Sequence, residues 1–285
     1  MIILDYSAIA MAAFFARGSS SEEGMLRHFI LNSIRMHNVK HRHKYGKMVI
    51  ACDSSSWRKD AYPQYKANRK KGREKSDVDW DSVFNTFHKV KEELKENFPY
   101  YVLTIDKAEA DDIIGALVEE TQEFGKHEPV MIISSDKDFI QLHKYNNVEQ
   151  WSPITKKYIK HENPYQYLFE HIFKGDSSDG VPNVLSDDDT FTSDGKRQSP
   201  LTQKKINLWL QNLDDLQSVM KEVEYRNYQR NKTVIDLSEM PKNVREDILD
   251  KYNNYNMSKL QSSKVLNFLV KNRMSNLIES AQEFL

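Results

Sequence analysis

The sequence has a single cysteine, Cys52, in 285 residues. It has no partner for an internal disulfide, and a reducing cytoplasm is the compartment this implies. Within the apolar run Lys47–Cys52 the thiol reads as buried and inert rather than nucleophilic. No stretch of about 18 apolar residues occurs, which excludes a membrane-spanning helix. Met1–Leu4 runs straight into a strand with no basic leader or small-residue cleavage site, so no signal peptide is expected. Internal repeats and low-complexity tracts are absent. His28, His37, His41 and His43 have no cysteine partners and no HExxH pattern, so they read as solvated or phosphate-facing side chains and not as a zinc site.

Net charge is also nearly absent, at −1. That balance hides a segregation of sign. Between Trp57 and Lys75 stand eight basic residues and two acids, and Arg35–Lys47 adds five Lys or Arg with no acid. The carboxylates gather elsewhere. Basic residues for phosphates and acids for metals are what a polyanion bridged to protein through cations requires. With 39% hydrophobic and 29% charged residues, the chain can build a core under a very polar surface, as one large domain or two.

The chain is organised around Tyr101–Phe139. Two β-branched apolar runs, Tyr101–Ile105 and Val130–Ser135, bracket a helix-period segment at about 110–124. This strand–helix–strand unit predicts parallel strands and an α/β fold with a central, mostly parallel sheet. Glu109, Asp111 and Asp112 stand at the helix start, and Asp136 and Asp138 just past the second strand. Ligands of open parallel sheets bind beyond the carboxyl ends of the strands. Two carboxylates about 4 Å apart repel by roughly 4 kcal/mol at an effective dielectric near 20, and protons or cations relieve that. All-oxygen clusters suit Mg²⁺ or Mn²⁺. The helix dipole alone would also favour first-turn acids, but the pattern recurs. Ile2–Leu4 ends in Asp5 and Lys47–Cys52 ends in Asp53, so four strands end in acids. Strands about 4.8 Å apart can hold two ions about 3.5–4 Å apart, the arrangement used for in-line phosphoryl displacement.

Trp57, Tyr62 and Tyr65 interleave with the basic run, which includes Arg58, Lys66, Arg69, Lys70 and Lys71. This pattern suits stacking on bases and pairing with phosphates. With the helical segment Val78–Phe98 it forms a long basic connection, the candidate for a mobile element over the site. Residues 147–159 read as an edge hairpin and Pro164–Phe173 as a helix. The Gly175–Pro182 turn carries Asp176 and Asp179. Asp187–Asp189 and Asp194 read as solvated loop. Leu201–Val219 is helical, with Lys204 and Lys205 near its start, and helices recur to the end.

The motifs LDYS, CDSSSWRKDAYPQYKANR, EADD, ISSDKDFIQL and GDSSDGVP occur in this order and resemble the structure-specific 5′ nucleases: the flap endonucleases and 5′–3′ exonucleases. The likeness is greatest toward the branch containing the ribonucleases H of T-even phages and covers nearly the whole chain. It implies a PIN-like core at 1–175, a helical arch within about 57–98, and a helical DNA-binding region at 176–285. By position, Asp5, Asp53, Glu109, Asp111 and Asp136 resemble the family's first metal cluster. Asp112, Asp138, Asp176 and Asp179 resemble the second, with Asp111 and Asp136 able to serve both. Lys66 and Arg69 match the basic pair over the scissile phosphate; Arg58, Tyr65, Lys70 and Lys71 share that motif. Residues 175–210, with Lys204 and Lys205, match a DNA-binding helical turn that often carries K⁺. The family's Gly-rich turn after Val-Pro is replaced here by a long acidic stretch with only Gly195.

The implied enzyme is a two-metal phosphodiester hydrolase, with Mg²⁺ that Mn²⁺ can replace. Its substrates would be branched or nicked duplex DNA and RNA–DNA hybrids, as in primer removal by a phage. A monomer in the host cytoplasm, docking a replication single-strand binding protein or clamp, fits the same reading. The alternatives are a non-catalytic DNA-junction binding protein, and a haloacid-dehalogenase-type phosphatase. The phosphatase chemistry needs DxD, whereas Asp5 is followed by Tyr6-Ser7.

Overall fold

Four short apolar runs lie almost free of solvent on both sides of the backbone: Ile2–Asp5 (β1), Met48–Ala51 (β2), Tyr101–Leu103 (β3) and Val130–Ile133 (β4). Runs buried on both faces suit a parallel sheet covered by helices. In the computed structural model they join Val148–Ser152 (β5) and Lys157–Ile159 (β6) in one six-stranded sheet of order β3-β2-β1-β4-β5-β6. All neighbours are parallel except β5 and β6, the hairpin expected at the edge. The strands that bracket the acidic helix are parallel but do not pair; β2 and β1 lie between them. Leu4 stands opposite both Ile50 and Ile133, so the carboxyl ends of β2, β1 and β4 are level. Asp5, Asp53 and Asp136 leave the sheet side by side for that reason.

The structure describes residues 1–285 except 17, 19–21, 75 and 257–261, and omits the side chains at 70–72, 124 and 262. The side chains of Lys70 and Lys71, and all of Lys75, therefore lie outside the described residues. The helices are α1 (Tyr6–Phe15), α2 (Glu23–Tyr45), α3 (Arg58–Ala61), α4 (Asn68–Glu74), α5 (Trp80–Asn97), α6 (Ala110–Gln122), α7 (Pro164–Lys174), α8 (Gln203–Leu210), α9 (Leu216–Val219), α10 (Glu222–Ile235), α11 (Lys242–Asn253), α12 (Ser262–Lys271) and α13 (Ser275–Ile278). Among the described residues no helix is long and apolar enough to cross a membrane.

One sheet face packs on α1, α2 and α5 through Ile9, Ile30, Ile34, Val83 and Val90. Val265, Leu269 and Phe284, from the end of the chain, belong to the same core. The other face packs on α6 through Ile113, Ile114 and Leu117, with Val244 and Ile248 of α11 behind. Both cores therefore draw on residues beyond 176. A third cluster joins Tyr62 and Tyr65 to Phe173, Trp209 and Tyr228 and ties the α3–α4 segment to α7, α8 and α10.

The helix at 80–97 is not free over the site. Val83, Phe87, Val90 and Leu94 face the core. Cys52 is buried, and burial pushes its thiol up to about 12, in keeping with an inert side chain.

Candidate active site

Each acid is held by the element that carries it. Asp5 closes β1 and caps α1: Oδ1 accepts the Ala8 amide at 3.0 Å and Oδ2 the Ser134 hydroxyl at 2.8 Å. Asp53, two residues past β2, accepts the first-turn amide of Ala110 at 2.9 Å and the Ser7 hydroxyl at 2.5 Å. Asp136 follows β4 and accepts the Asp138 amide at 2.9 Å. The turn after α7 supplies two more. Gly175 there has φ 68°, and a Cβ on it would lie 2.4 Å from the Val181 carbonyl, so only glycine fits. This tight turn presents Asp176, whose Oδ1 takes the Ser178 amide at 2.7 Å, and then Asp179.

These carboxylates raise one another. Burial, then the Asp53 charge, pushes Asp5 up to about 7. Burial and Asp136 raise Asp111; burial, Asp136 and Asp176 raise Asp138. Burial raises Asp136 too, with Asp179 and Asp176 adding to it. Asp5, Asp53, Glu109, Asp111, Asp136, Asp138, Asp176 and Asp179 thus form one electrostatic cluster. Glu109 moves the other way. Burial opposes its charge, but Lys66 and Arg58 outweigh that and lower its pKa.

Asp112 is elsewhere. It is 0% exposed, and Arg58, itself 2% exposed, lies 2.9 Å from each of its oxygens through Nη1 and Nη2. Trp57 Nε1 donates to it at 3.2 Å, and the Glu109 amide donates at 2.9 Å. Arg58 also gives Nε to the Val234 carbonyl at 2.8 Å and Nη1 to Glu109 at 3.2 Å. Both residues are buried and turned toward each other, so Asp112 faces Arg58 and not the cleft, and the Arg58 guanidinium is enclosed by protein groups. The stacking expected of Trp57, Tyr62 and Tyr65 also gives way. All three are buried, and the Tyr65 hydroxyl lies 3.0 Å from Glu109 and 2.8 Å from Asp179.

Lys66 and Arg69 do border the acids. Lys66 has the left-handed φ of 57°, and its amide donates to the Asp179 carbonyl at 2.7 Å. Its Nζ reaches Glu109 at 2.5 Å and Asp179 at 3.4 Å. Arg69 pairs with the other oxygen of Asp179. Lys204 is exposed on α8, far along the chain from this cluster, while Lys205 is paired to Glu224 at 2.6 Å.

Three features of the site carry no local sequence motif of their own. His171 Nε2 sits 3.3 Å from Asp138 and 3.7 Å from Asp176. Ser7 and Ser134 orient Asp53 and Asp5. A cavity of about 580 Å³ opens beside Asp53, with Arg69, Arg73, Trp80, Phe84 and Lys91 in its wall. Trp80 and Phe84 stack at 5.6 Å, and the Arg73 guanidinium lies over Phe84 at 5.5 Å. The i, i+4 spacing of Trp80 and Phe84 on α5 was the available signal.

The loop after Pro182 does not fit a K⁺ ion. Arg230 and Asn231 both donate to the Pro182 carbonyl at 2.9 Å. Asn227 donates to the carbonyls of Val184 and Ser186 at 3.0 and 3.1 Å. Side-chain donors thus engage the carbonyl oxygens of Pro182, Val184 and Ser186. Asp188 and Asp189 are engaged by Arg230 and Lys196, which keeps the acidic stretch a loop and not a ligand set. Exchange of K⁺ for Na⁺ at constant ionic strength is expected to leave DNA affinity within twofold; a larger loss in a binding titration would argue for the ion.

The N-terminal part of the chain matches a family model. Residues 1–169 match the 5′–3′ exonuclease N-terminal resolvase-like domain. The chain belongs to the 5′–3′ exonuclease family of nucleases. Residues 165–284 of this nuclease match the T4 RNase H C-terminal model. It is 37% identical to ribonuclease H of Enterobacteria phage T4 over 294 aligned positions, covering 99% of this chain and 95% of that protein. A flap endonuclease, Xni of Shewanella woodyi, is 30% identical over 50% of this chain and 56% of its own. Among solved structures, phage T5 5′-exonuclease with divalent zinc superposes with TM-score 0.64 at 17% identity, over 89% of this chain and 98% of that one. A phage T5 flap endonuclease pseudo-enzyme–product complex with DNA and metal ions gives 0.63 at 18%, over 89% and 99%. The relatives are nucleic-acid hydrolases by name, and this nuclease is an enzyme of the same kind.

The donor set fits divalent cations. Eight carboxylates share one cleft edge, and burial together with neighbouring carboxylates raises Asp5, Asp111, Asp136 and Asp138. The sign follows for Asp5. Folded, it keeps its proton to about pH 7; unfolded, it releases it near 3.8. Stability of the metal-free protein therefore falls as pH rises through that interval, by on the order of 4 kcal/mol for this group alone. Saturating Mg²⁺ is expected to raise Tm by about 5 °C at pH 8 and by far less at pH 5. Equal shifts at both pH values in a thermal-melt series would count against the acids as the binding site.

Proposed function

We propose that this nuclease is a Mg²⁺-dependent 5′ nuclease acting on branched or nicked duplex DNA and on the RNA strand of RNA–DNA hybrids, as in primer removal during phage replication. The observation that carries the reading is the convergence of eight carboxylates from three strand ends, the start of α6 and the 175–182 turn, under Lys66 and Arg69. The eight would hold two divalent ions, with Mn²⁺ able to replace Mg²⁺. Ions held by these residues would supply activation of water as the nucleophile and charge stabilisation at the leaving oxygen. Lys66 and Arg69 offset charge developing on the phosphate. Asp112 and Arg58 hold α3 against α6 and so fix Glu109. The helical region beyond 176, with exposed Lys204 on α8, is the proposed duplex contact, made chiefly to the backbone.

The cavity beside Asp53 suits a single-stranded 5′ end. Stacking on an aromatic contributes about 1–3 kcal/mol per base. Phe84→Ala, at a side chain 40% exposed, is therefore expected to weaken flap substrates about 10-fold while leaving fully duplex nicked DNA nearly unaffected. Equal losses on both substrates would sink that assignment.

The activity test is cleavage of 5′-labelled flap, nicked duplex, RNA–DNA hybrid and single strand, with Mg²⁺ and with EDTA. Short Mg²⁺-dependent products from flap and hybrid are expected. Binding without cleavage under Mg²⁺ and Mn²⁺ would favour a junction-binding protein.

A further inference from the structure

His171 occupies the last turn of α7, four residues before the Gly175 turn that delivers Asp176. The same helix packs against the 3₁₀ segment Lys137–Lys144, which carries Asp138. Two independent connections therefore bring an imidazole and two carboxylates together. One atom from each, His171 Nε2, an Asp138 oxygen and an Asp176 oxygen, lies within 4.8 Å of the others. His171 Nε2 is buried and makes no hydrogen bond, although Asp138 Oδ1 is only 3.3 Å away. The Tyr167 ring stacks on the imidazole one turn earlier, at 6.0 Å and 15°, and sets its orientation. With the imidazole neutral and its proton on Nδ1, three electron-rich atoms face one another without a shared hydrogen bond, an arrangement that a cation resolves.

We infer that His171 Nε2 is a metal ligand alongside Asp138 and Asp176, so that one of the two ion positions has a nitrogen donor and the other is all oxygen. The inference rests on the metal-binding reading of the acids. Carboxylate oxygens suit Mg²⁺ and Mn²⁺ alike, but of the two the transition ion Mn²⁺ accepts an imidazole nitrogen more readily than the harder Mg²⁺ does. This chain therefore favours Mn²⁺ at the His171 position more strongly than at the Asp5–Asp53 end of the cluster.

The test uses the full chain and Mn²⁺ alone. Binding is followed by titration of the free-ion electron paramagnetic resonance signal, and ligand type by ¹⁴N modulation of the bound ion's spin echo. The wild type is expected to show nitrogen modulation. His171→Gln is expected to lose it and to bind Mn²⁺ tenfold or more weakly at one position, with Mg²⁺ affinity changed less than threefold and the thermal transition retained. His171→Asn provides a second variant should the glutamine chain fold poorly. Mn²⁺ binding without nitrogen modulation, or modulation that persists in both variants, overturns the inference and leaves the acids as metal ligands. No Mn²⁺ binding by the wild type overturns the metal reading itself.

Discussion

Asp136→Asn is expected to lower single-turnover cleavage by at least about 10³-fold, because several kcal/mol of transition-state stabilisation depends on the ions held there. Asp136 sits where the two halves of the cluster meet. It raises Asp111 on one side and Asp138 on the other, and feels Asp179 and Asp176. Asparagine keeps the shape and still accepts the Asp138 amide, now 2.9 Å from Oδ1. Only the charge and one anionic ligand oxygen are lost. The fold should therefore survive, with metal-free stability at pH 8 unchanged or higher, since one repelling carboxylate is gone. DNA affinity, measured by anisotropy in Ca²⁺, should hold or improve, because less negative charge faces the phosphates. Cutting at wild-type rate under saturating Mg²⁺ would remove Asp136 from the metal set.

The sheet and most of the acidic cluster were legible because parallel strands buried on both faces read as unbroken apolar runs, and the runs ending in Asp5, Asp53 and Asp136 lie side by side in the sheet. Asp112 was not separable from Asp111 on that basis. Adjacent helical residues point about 100° apart, and only a distant partner, Arg58, shows which of the two turns inward. The aromatics of the basic run failed for a related reason. Interleaved Trp, Tyr and Arg suit base stacking, but they suit equally well a buried network in which hydroxyl and indole reach carboxylates, as Tyr65 and Trp57 do here. The apolar spacing of Val83, Phe87, Val90 and Leu94 marks a helix but not what that helix covers, and in the structure this face packs on the core. His171 stands 33 positions from Asp138, and no local pattern joins them.

Arg58→Ala is expected to destabilise the protein by about 3–5 kcal/mol, the range for removing one partner of a buried ion pair. Arg58 is 2% exposed and Asp112 0%, so removing the guanidinium leaves a buried carboxylate without its charge partner. Losing Arg58 also orphans the Val234 carbonyl on α10 and withdraws a donor from Glu109. Asp112→Asn should cost less, because an amide oxygen can still accept from Trp57 or from the guanidinium. The double change Arg58→Met with Asp112→Leu should recover much of the loss, since a well-packed apolar pair can match a buried salt bridge. Urea unfolding at fixed Mg²⁺ separates the cases, and cleavage per folded molecule shows whether Glu109 still holds its position. Arg58→Ala with less than about 1 kcal/mol of lost stability but weakened DNA binding would return Arg58 to the phosphate-facing role that its motif implies. A large stability loss with DNA affinity retained, in contrast to the stable and inactive Asp136→Asn, would separate the acid that holds the fold from the acid that serves the chemistry.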